Sequence, residues 1–397
     1  MLRATYRVQL NAEFTLQEAR SIVPYLDDLG VSHLYCSPVL AARHGSTHGY
    51  DVVDPTRVDP ELGDERDLLA LASDLHARGM GLVLDIVPNH MSASAENPYW
   101  DDVLRHGEGS RWAHWFDIDW AAAGAARHHV VLPVLGDEVD RVIDRGELIV
   151  RIDESGTRVS YFDKSFPVDP TTLPVELQLA QFDPAAIPEA LKKFRGASGR
   201  PELRALLEAQ HYRLVFWRRA HTELNYRRFF DVNDLIALRM EDPAVFEETH
   251  ALILRWVREG VVDGLRVDHI DGLLQPRAYL ERLRAATTAA DGDREPPLLF
   301  VEKILSPGET LRDTWPVQGT TGYEFLNDVE DALISPEGFA NVERCYRRMR
   351  RLGDSGFAEA AHAGKRAVLV DALRPDVDRL TMLAVPLLDG GEPPSRA

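Results

Sequence analysis

Polar and charged side chains collect at the carboxyl ends of three apolar segments that are typical of β-strands. The segments are LVLDIVPNH, GLRVDHID and LLFVEK, and their polar residues are Asp85, Asn89 and His90, then Arg266, Asp268 and His269, and finally Glu302. In a parallel α/β sheet or barrel, this edge is where ligands bind and catalytic groups collect. The pattern therefore predicts a polar site built from three strands.

The second segment places a cation beside a carboxylate. Arg266 and Asp268 are two residues apart, so they lie on the same side of a strand. A neighbouring cation lowers the pKa of a carboxyl, and we therefore expect Asp268 to be ionised. Glu302, on the next strand, can then have a different environment and keep its proton. Two carboxyls with separated pKa values, one a nucleophile and one an acid, are what chemistry at a glycosidic bond requires.

Each of these residues also has a structural interpretation when it is taken alone. An aspartate such as Asp85 commonly caps a turn, and a single histidine such as His90 commonly has a structural role. Arg266 and Asp268 could form a structural ion pair. Four tryptophans are expected to form the core of a lobe rather than sugar platforms: Trp100, Trp112, Trp115 and Trp120. The functional interpretation therefore depends on the whole set of strand-end residues.

The composition excludes several classes of protein. The 397 residues include 45 Lys+Arg and 64 Asp+Glu, a formal net charge of −19, and 45% are hydrophobic. Disordered and disulfide-scaffold classes do not have this composition. So acidic a chain repels phosphate backbones and anionic lipids, and we expect no nucleic-acid or membrane partner. A neutral sugar meets no such barrier.

Motifs for other chemistries are missing from the sequence. It contains no phosphate-binding or dinucleotide-binding loop, no serine-hydrolase elbow, no HExxH and no EF-hand loop. The two cysteines, Cys36 and Cys345, lack metal-binding spacing. We therefore predict no metal and no cofactor. The low cysteine count, an N-terminus without a signal-like segment, and no apolar run of about 18 residues predict a soluble cytoplasmic protein.

Strand-like and helix-like segments alternate over much of the chain, which predicts a parallel sheet. Strands are expected at residues 5–10, 33–36, 82–87, 264–268 and 298–302, with a sixth near 317–320. One helix should begin at the T-x-x-E capping box of Thr15 and Glu18, although Pro24 interrupts its pattern. Asp64 should cap a second helix, and further helices are expected at residues 244–259 and 277–286.

These elements predict an α/β fold of the (β/α)8 TIM-barrel type. A closed barrel needs about eight strands, so we expect the barrel to be incomplete. We expect four parts: residues 1–90 as the first half of the catalytic barrel, 91–210 as a lobe inserted after the third strand, 211–335 as the barrel continued, and 336–397 as a helical segment with a polar tail. The late barrel strands are expected to be absent.

The strand-end motifs resemble a known superfamily. DIVPNH, GLRVDHID and VEKIL, in that order, are similar to the first three signature regions of the α-amylase superfamily (glycoside hydrolase family 13), which contains retaining glycosidases and transglycosylases. STHGYDVVD is similar to its sugar-stacking tyrosine region. TYRVQL, HYRLVFWRRAHTELNYRRFF and GTTGYEF resemble one family within it, the maltooligosyltrehalose synthases.

The resemblance implies roles for the site residues. It makes Asp268 the nucleophile and Glu302 the general acid and base. The other positions bind or organise the substrate: Tyr50 stacks under the sugar ring, Asp85 and Asn89 organise the third-strand end, Arg266 orients Asp268 and keeps it charged, and His90 and His269 bind sugar hydroxyls. The superfamily also uses a further aspartate from a fourth signature. No segment after Phe325 resembles that signature, so we expect a chain truncated at its C-terminus.

The resemblance also implies an activity. It is an isomerase reaction, an intramolecular transglycosylation that converts the reducing-end α-1,4 bond of a maltooligosaccharide or glycogen-derived glucan into an α,α-1,1 bond. The product, maltooligosyltrehalose, would feed trehalose biosynthesis through a maltooligosyltrehalose trehalohydrolase, the expected functional partner. Two alternatives stay open: a retaining hydrolase of α-1,4-glucans, and an inactive glucan-binding fragment without the third catalytic aspartate.

Overall fold

A computed structural model describes residues 2–122, 124, 127–180, 182–183, 185–288, 295–350 and 356–388 of the chain. Its main sheet has six strands, which are β1 (Thr5–Val8), β2 (His33–Cys36), β3 (Gly81–Ile86), β4 (Gly264–Val267), β5 (Leu298–Val301) and β6 (Gly319–Thr320). The strands are hydrogen-bonded in that order, and each pairing is parallel. The predicted parallel sheet is confirmed, including the strand expected near residues 317–320.

Strand β3 lies inside the sheet, and all six of its residues are buried. It pairs with β2 on one side and β4 on the other, and this register sets Arg266 opposite Asp85. Gly264 allows the strands to approach closely, because a Cβ atom there would meet Cβ of Leu298 at 3.0 Å and Cγ2 of Val83 at 3.1 Å. The polar ends of the central strands are therefore held side by side.

The first helical segment is divided into two helices. Thr15 and Glu18 form the predicted capping box at the start of Leu16–Ser21. The chain then bends, and a second helix runs over Val23–Leu29 with Pro24 in its first turn. Proline lacks the N–H that a continuous helix needs at this position. The interruption that Pro24 suggested is therefore confirmed.

Longer helices connect the later strands. Glu65–His76 precedes β3, Pro243–Glu259 precedes β4, and Pro276–Thr287 joins β4 to β5. Asp64 and Asp242 cap the first two of these helices through backbone N–H groups of the first turn. The buried apolar side chains of all three helices belong to the same core as the strands. These helices confirm the segments predicted for them to within a few residues.

A long inserted region separates β3 from β4. Its strands are His90–Ser92, Val130–Leu135, Leu148–Asp153, Gly156–Tyr161, Lys164–Pro167, Tyr212–Phe216, Arg228–Phe229 and Val232–Ala237. Its helices are Pro98–His106, Val139–Asp144, Val175–Ala180, Ile187–Lys192, Arg200–Glu208 and Ala220–Glu223. Tyr212–Phe216 pairs with Val130–Leu135, and Val232–Ala237 pairs with His90–Ser92. The division of the chain at residues 90, 210 and 335 stays a prediction.

The tryptophans of this region pack in its core, as the sequence predicts. Trp100 and Trp115 are buried, and Trp112 and Trp120 pack against the same cluster with partial exposure. The ring of Tyr99 stacks on that of Trp115 with centroids 4.6 Å apart. The four tryptophans therefore contribute to the core of the inserted region.

Residues beyond β6 are helical, which agrees with the helical segment predicted from residue 336, whereas the helix Tyr323–Leu333 was not predicted. The helices are Tyr323–Leu333, Pro336–Arg350, Phe357–Val370 and Arg374–Leu388. Several large apolar side chains of these helices are exposed: Phe325, Leu333, Phe339, Met349, Phe357 and Leu388. The predicted polar tail at 389–397 lies outside the described residues. Within the part of the chain that the structure describes, no helix is long and apolar enough to cross a bilayer.

Candidate active site

One guanidinium group contacts three carboxyl groups at the carboxyl ends of the central strands. Arg266 Nη1 lies 2.8 Å from Asp85 Oδ1 and 2.7 Å from Asp268 Oδ1, and Arg266 Nη2 lies 3.0 Å from Glu302 Oε1. The carboxyls of Asp268 and Glu302 therefore lie close together on the same guanidinium. The structure thus brings together the four charged residues that the sequence predicted for one site.

The sheet explains why these side chains converge. Arg266 and Asp85 are direct partners in the β3–β4 register. Asp268 N–H donates to the carbonyl of Ile86 at 2.9 Å, and Glu302 N–H donates to the carbonyl of Val267 at 2.8 Å. Each backbone bond extends the sheet by one residue beyond its strand. The carboxyls therefore follow neighbouring strand ends on the same side of the sheet.

Asp85 is held by two tyrosines as well as by Arg266. The hydroxyls of Tyr35 and Tyr50 each donate to Asp85 Oδ2 at 2.7 Å. Tyr50 lies in the loop of a hairpin made by Leu40–Ala42 and Val52–Val58. Burial raises the pKa of Asp85 in spite of these partners. Tyr35 was not predicted as a site residue; its position in β2, beside β3, is the signal that would have found it.

Glu302 is oriented by a backbone group and a second tyrosine. Its Oε2 accepts from the N–H of His269 at 2.9 Å, and its Oε1 accepts from the hydroxyl of Tyr323 at 3.3 Å. His269 has a φ of 48°, in the left-handed region. This conformation is uncommon for a residue other than glycine and clusters at functional sites. Tyr323 was also missed, although it belongs to the GTTGYEF motif.

The protonation states of Asp268 and Glu302 differ from those expected from the sequence. Burial raises the pKa of Asp268 to about 8, because Asp85 and Glu302 add repulsion that Arg266 does not offset. Burial also acts to raise the pKa of Glu302, but Arg266, the N–H of His269 and the contact with Asp268 hold it below its usual value. The expectation of an ionised Asp268 beside a protonated Glu302 is therefore wrong for the free site.

Two histidines lie beside the carboxyls with an aromatic ring between them. The ring centroid of Phe229 is 4.6 Å from that of His90 and 4.7 Å from that of His269. Burial, with repulsion from His269, lowers the pKa of His90 to about 3, so this imidazole is neutral. Its Nδ1 lies 3.3 Å from Asn89 Nδ2, whereas its buried Nε2 has no hydrogen-bond partner among the described residues.

A cleft of about 640 Å³ opens over these groups. Five of the predicted residues line it, together with others such as Arg7, Tyr35 and Tyr323: Tyr50, His90, Arg266, Asp268 and Glu302. Asp85 and Asn89 are buried behind the lining, where Asp85 contacts Arg266 and Asn89 contacts His90. His269 is partly exposed beside the lining, and its backbone N–H contacts Glu302. Within the described residues no cluster of three His, Cys, Asp or Glu side chains could hold a metal ion.

The fold and the site define a class of protein, the catalytic domains of the α-amylase superfamily. The family model "Alpha amylase, catalytic domain" matches residues 15–134, a range that includes Tyr50, Asp85, Asn89 and His90. An intracellular maltogenic amylase of Bacillus subtilis is 43% identical over 94 residues, which are 24% of this chain and 15% of that protein. The predicted TIM-barrel fold class is confirmed, since the parallel sheet described here is part of such a barrel.

Longer matches are to one family within that class. A Mycobacterium tuberculosis protein described as a maltooligosyl trehalose synthase is 40% identical over 342 residues, which are 84% of this chain and 39% of that protein. The structure of maltooligosyltrehalose synthase from Arthrobacter ramosus superposes with a TM-score of 0.80 at 40% identity, covering 95% of this chain and 44% of that one. Over 84% of its length the chain is homologous to a maltooligosyltrehalose synthase, and it spans less than half the length of these relatives.

Proposed function

We propose that this chain rearranges α-1,4-glucans by intramolecular transglycosylation, converting the reducing-end α-1,4 bond of a maltooligosaccharide into an α,α-1,1 bond. The observation that carries the proposal is the contact of one guanidinium, that of Arg266, with both Asp268 at 2.7 Å and Glu302 at 3.0 Å in the lining of the cleft. Two carboxyls close together on one sugar-sized site are the apparatus of a retaining reaction. Among the retaining reactions we propose rearrangement, because the chain is similar to the maltooligosyltrehalose synthases.

In the proposed reaction, a carboxylate attacks and a carboxylic acid assists departure. Asp268 forms a bond to the anomeric carbon of the penultimate glucose while the glycosidic C–O bond breaks, and Glu302 gives its proton to the departing oxygen. The released glucose stays bound, turns, and offers its anomeric hydroxyl. Glu302 takes the proton of that hydroxyl as its oxygen bonds to the anomeric carbon and the bond to Asp268 breaks. The site regains its starting protonation state.

The carboxyl contact supplies the proton that this cycle needs. In the free site the pKa of Asp268 is raised and that of Glu302 is lowered, and both carboxyls contact Arg266, so the proton of the pair is on Asp268. A sugar that enters between the two carboxyls must separate them. The cycle then requires the proton on Glu302 and the negative charge on Asp268, where Arg266 Nη1 lies 2.7 Å away. We therefore propose that substrate binding moves the proton from Asp268 to Glu302.

Roles for the surrounding residues follow from their contacts. We propose that His90 binds a sugar hydroxyl through Nε2, and that Tyr50 and His269 contact the ring held over Asp268. Asp85 and Asn89 act from behind the lining, by holding Arg266 and His90. The inserted lobe at residues 91–210 closes the site against water, because water competes with the trapped glucose for the glycosyl intermediate.

The test is incubation of the chain with maltopentaose while reducing power and free glucose are measured together. Rearrangement removes reducing ends without releasing glucose, which is the expected result. Asp268→Asn and Glu302→Gln should each abolish the change, since they keep the shape of the site and remove the nucleophile or the acid. If reducing power stays constant with the unmodified chain, the proposal fails and the chain is an inactive glucan-binding fragment.

An increase in reducing ends identifies the alternative, a retaining hydrolase. The partial match to a maltogenic amylase supports this second candidate, and the α-amylase family model spans the cleft residues from Tyr50 to His90. Both reactions use the same pair of carboxyls and differ in whether glucose or water attacks the intermediate. The ratio of lost to gained reducing ends therefore decides between them.

The product defines the next reaction. A chain that ends in an α,α-1,1 unit has no reducing end, so we propose that a maltooligosyltrehalose trehalohydrolase acts on it to release trehalose. We also propose a cytoplasmic location, which the two free cysteines support: Cys36 is buried and Cys345 is exposed, and neither is in a disulfide. Our proposed boundaries of the catalytic and inserted parts remain residues 90, 210 and 335.

A further inference from the structure

Arg227 has no role in the reaction described above, yet its guanidinium joins three parts of the molecule. Its four side-chain hydrogen bonds run from Nε to Asp117 Oδ2 at 2.9 Å, from Nη1 to Asn89 Oδ1 at 2.7 Å and to the Gly272 carbonyl at 2.6 Å, and from Nη2 to the Leu238 carbonyl at 2.8 Å. Only 16% of the side chain is exposed. All three guanidinium nitrogens are therefore committed to fixed partners.

Two of these partners lead directly to groups of the active site. Asn89 lies 3.3 Å from Nδ1 of His90. The turn that contains Gly272 begins at His269, whose carbonyl accepts from the Gly272 N–H at 2.9 Å. The N–H of His269 in turn donates to Glu302 Oε2 at 2.9 Å. Arg227 thus connects the ends of β3 and β4 to the inserted region.

The turn after β4 has little freedom to move without disturbing these groups. A Cβ atom on Gly272 would lie 2.2 Å from Cδ2 of His269 and 2.7 Å from Oδ1 of Asn89. His269 also keeps a left-handed backbone conformation, φ 48°. Such a conformation persists at a residue other than glycine only when its surroundings hold it. The hydrogen bond from Arg227 to the Gly272 carbonyl is one of the contacts that does so.

We propose that Arg227 is a positioning residue for the general acid. By holding the turn from His269 to Gly272, it directs the His269 N–H at Oε2 of Glu302 and so fixes the orientation of that carboxyl. Arg227 also hydrogen-bonds Asn89, which lies beside His90, and so helps to position that imidazole. The proposal rests on the proposed function of Glu302. Misplacing a catalytic group by about 1 Å costs a factor of about 100 in rate, which sets the size of the expected effect.

The test compares Arg227→Met with Arg228→Met. Arg228 is the next residue and is 7% exposed, and it contacts the Asp231 carbonyl, Asn233 and the Ala372 carbonyl rather than the site. Both variants remove an arginine with little exposure from adjacent positions of the chain, so their thermal stabilities are measured first as the matched control for general damage.

The decisive activity measurement uses two substrates. Maltopentaose needs a protonated leaving group in the first step, whereas α-maltotriosyl fluoride releases fluoride without one. The first turnover of the fluoride, measured as a burst of fluoride, therefore needs only the nucleophile. Arg227→Met should lose about a hundredfold in kcat on maltopentaose and stay within a few-fold of the parent on the fluoride. Arg228→Met should retain both activities. An equal loss on both substrates by Arg227→Met, or the same selective loss by Arg228→Met, overturns the proposal.

A second measurement does not depend on turnover. Burial lowers the pKa of His269, and the charge of Arg227 adds to this lowering. In NMR titrations, Arg227→Met should therefore raise the pKa of His269 and shift its backbone N–H resonance, whereas Arg228→Met should change neither. If the parent chain processes neither substrate, the proposed function has failed. The NMR measurement on His269 still tests whether Arg227 positions the turn. An unchanged His269 in Arg227→Met overturns its positioning role.

Discussion

Nη1 of Arg266 lies 2.7 Å from Oδ1 of Asp268, and yet burial raises the pKa of this carboxyl to about 8. The same guanidinium also contacts Asp85 and Glu302. One positive charge is thus divided among three acidic groups in a buried setting. A carboxyl that shares its cation with two others is better accommodated with a proton, because the charges of the other two repel its ionised form.

The first prediction concerns how stability depends on pH. The pKa of Asp268 is about 8 in the folded chain and about 3.9 when unfolded. The stability contributed by the protonated form is therefore present below about pH 4 and is lost as the pH rises towards 8. Asp268→Asn has no proton to lose, so its free energy of unfolding minus that of the parent should be larger at pH 9 than at pH 5, which means that the variant gains relative stability at high pH. Urea unfolding at both pH values measures the difference.

Asp28→Asn provides the control for that experiment. Asp28 is exposed on the helix Val23–Leu29, and its substitution should change stability by the same amount at pH 5 and pH 9. If Asp268→Asn also shows no difference between the two pH values, the carboxyl is ionised throughout this range, and the shared proton of the site is excluded.

The second prediction concerns the tyrosines on Asp85. The Tyr35 hydroxyl donates to Asp85 Oδ2 at 2.7 Å, and Asp85 is 2% exposed. Tyr35→Phe leaves a buried acceptor with one donor fewer, so it should lower the free energy of unfolding by about 1–3 kcal/mol. Denaturant titration measures this loss. Tyr25→Phe, at a tyrosine that is 58% exposed, should lose less than about 0.5 kcal/mol; equal losses would show that the bond to Asp85 is unimportant.

The sequence predicted the strands and the polar ends that they carry, because both are local patterns. Asp85, Arg266 and Glu302 each follow an apolar strand segment, and the rule that parallel strand ends share one edge brings them together. Tyr35 and Tyr323 lie outside these strand ends. Tyr35 is in a predicted strand and Tyr323 is in a recognised motif, but their hydrogen bonds to Asp85 and Glu302 depend on which strands and loops are neighbours in space.

The charge state of Asp268 was mispredicted for a related reason. Arg266 is two residues away in sequence, so its effect is visible there, whereas the burial of Asp268 and its closeness to Asp85 and Glu302 exist only in the folded chain. Arg227 was missed because its contacts with Asn89 and Gly272 span 138 and 45 residues. Local sequence patterns do not show that one charged side chain contacts several residues that are distant in the sequence.

The third prediction concerns the histidine with a free ring nitrogen. His90 lines the cleft, and its pKa is about 3, so it is neutral from pH 5 to pH 8. His90→Phe removes the hydrogen bond that Nε2 offers to a sugar hydroxyl and should weaken maltopentaose binding about tenfold. The loss should be the same at pH 5.5 and pH 7.5. Calorimetric titration at the two pH values gives both quantities.

His106→Phe is the matched control for this binding experiment. His106 is on the lobe helix Pro98–His106 with 46% of its side chain exposed, and its substitution should leave the affinity unchanged. A loss for His90→Phe that grows between pH 7.5 and pH 5.5 would mean that a protonated imidazole binds the sugar, which contradicts the neutral His90 of the structure.

The fourth prediction contrasts two glycines that differ in the space around them. At Gly272 a methyl group would collide with His269 at 2.2 Å, whereas at Gly364 nothing lies within 4 Å. Gly364 is inside the helix Phe357–Val370, so Gly364→Ala should stabilise the chain by about 0.5–1 kcal/mol. Gly272→Ala should destabilise it by about 1–3 kcal/mol through overpacking. Thermal unfolding of the two variants measures these opposite signs.

The variants Gly272→Ala and Gly364→Ala also distinguish a loss of stability from a change in the position of active-site groups. Gly272→Ala displaces the His269 ring, and with it the N–H that binds Glu302 Oε2 at 2.9 Å, so maltopentaose conversion should fall even at temperatures where the variant is fully folded. Gly364→Ala should keep the parent rate. If folded Gly272→Ala also keeps the parent rate, then the orientation of Glu302 does not depend on the turn after β4, because the added methyl group cannot be accommodated there without moving His269.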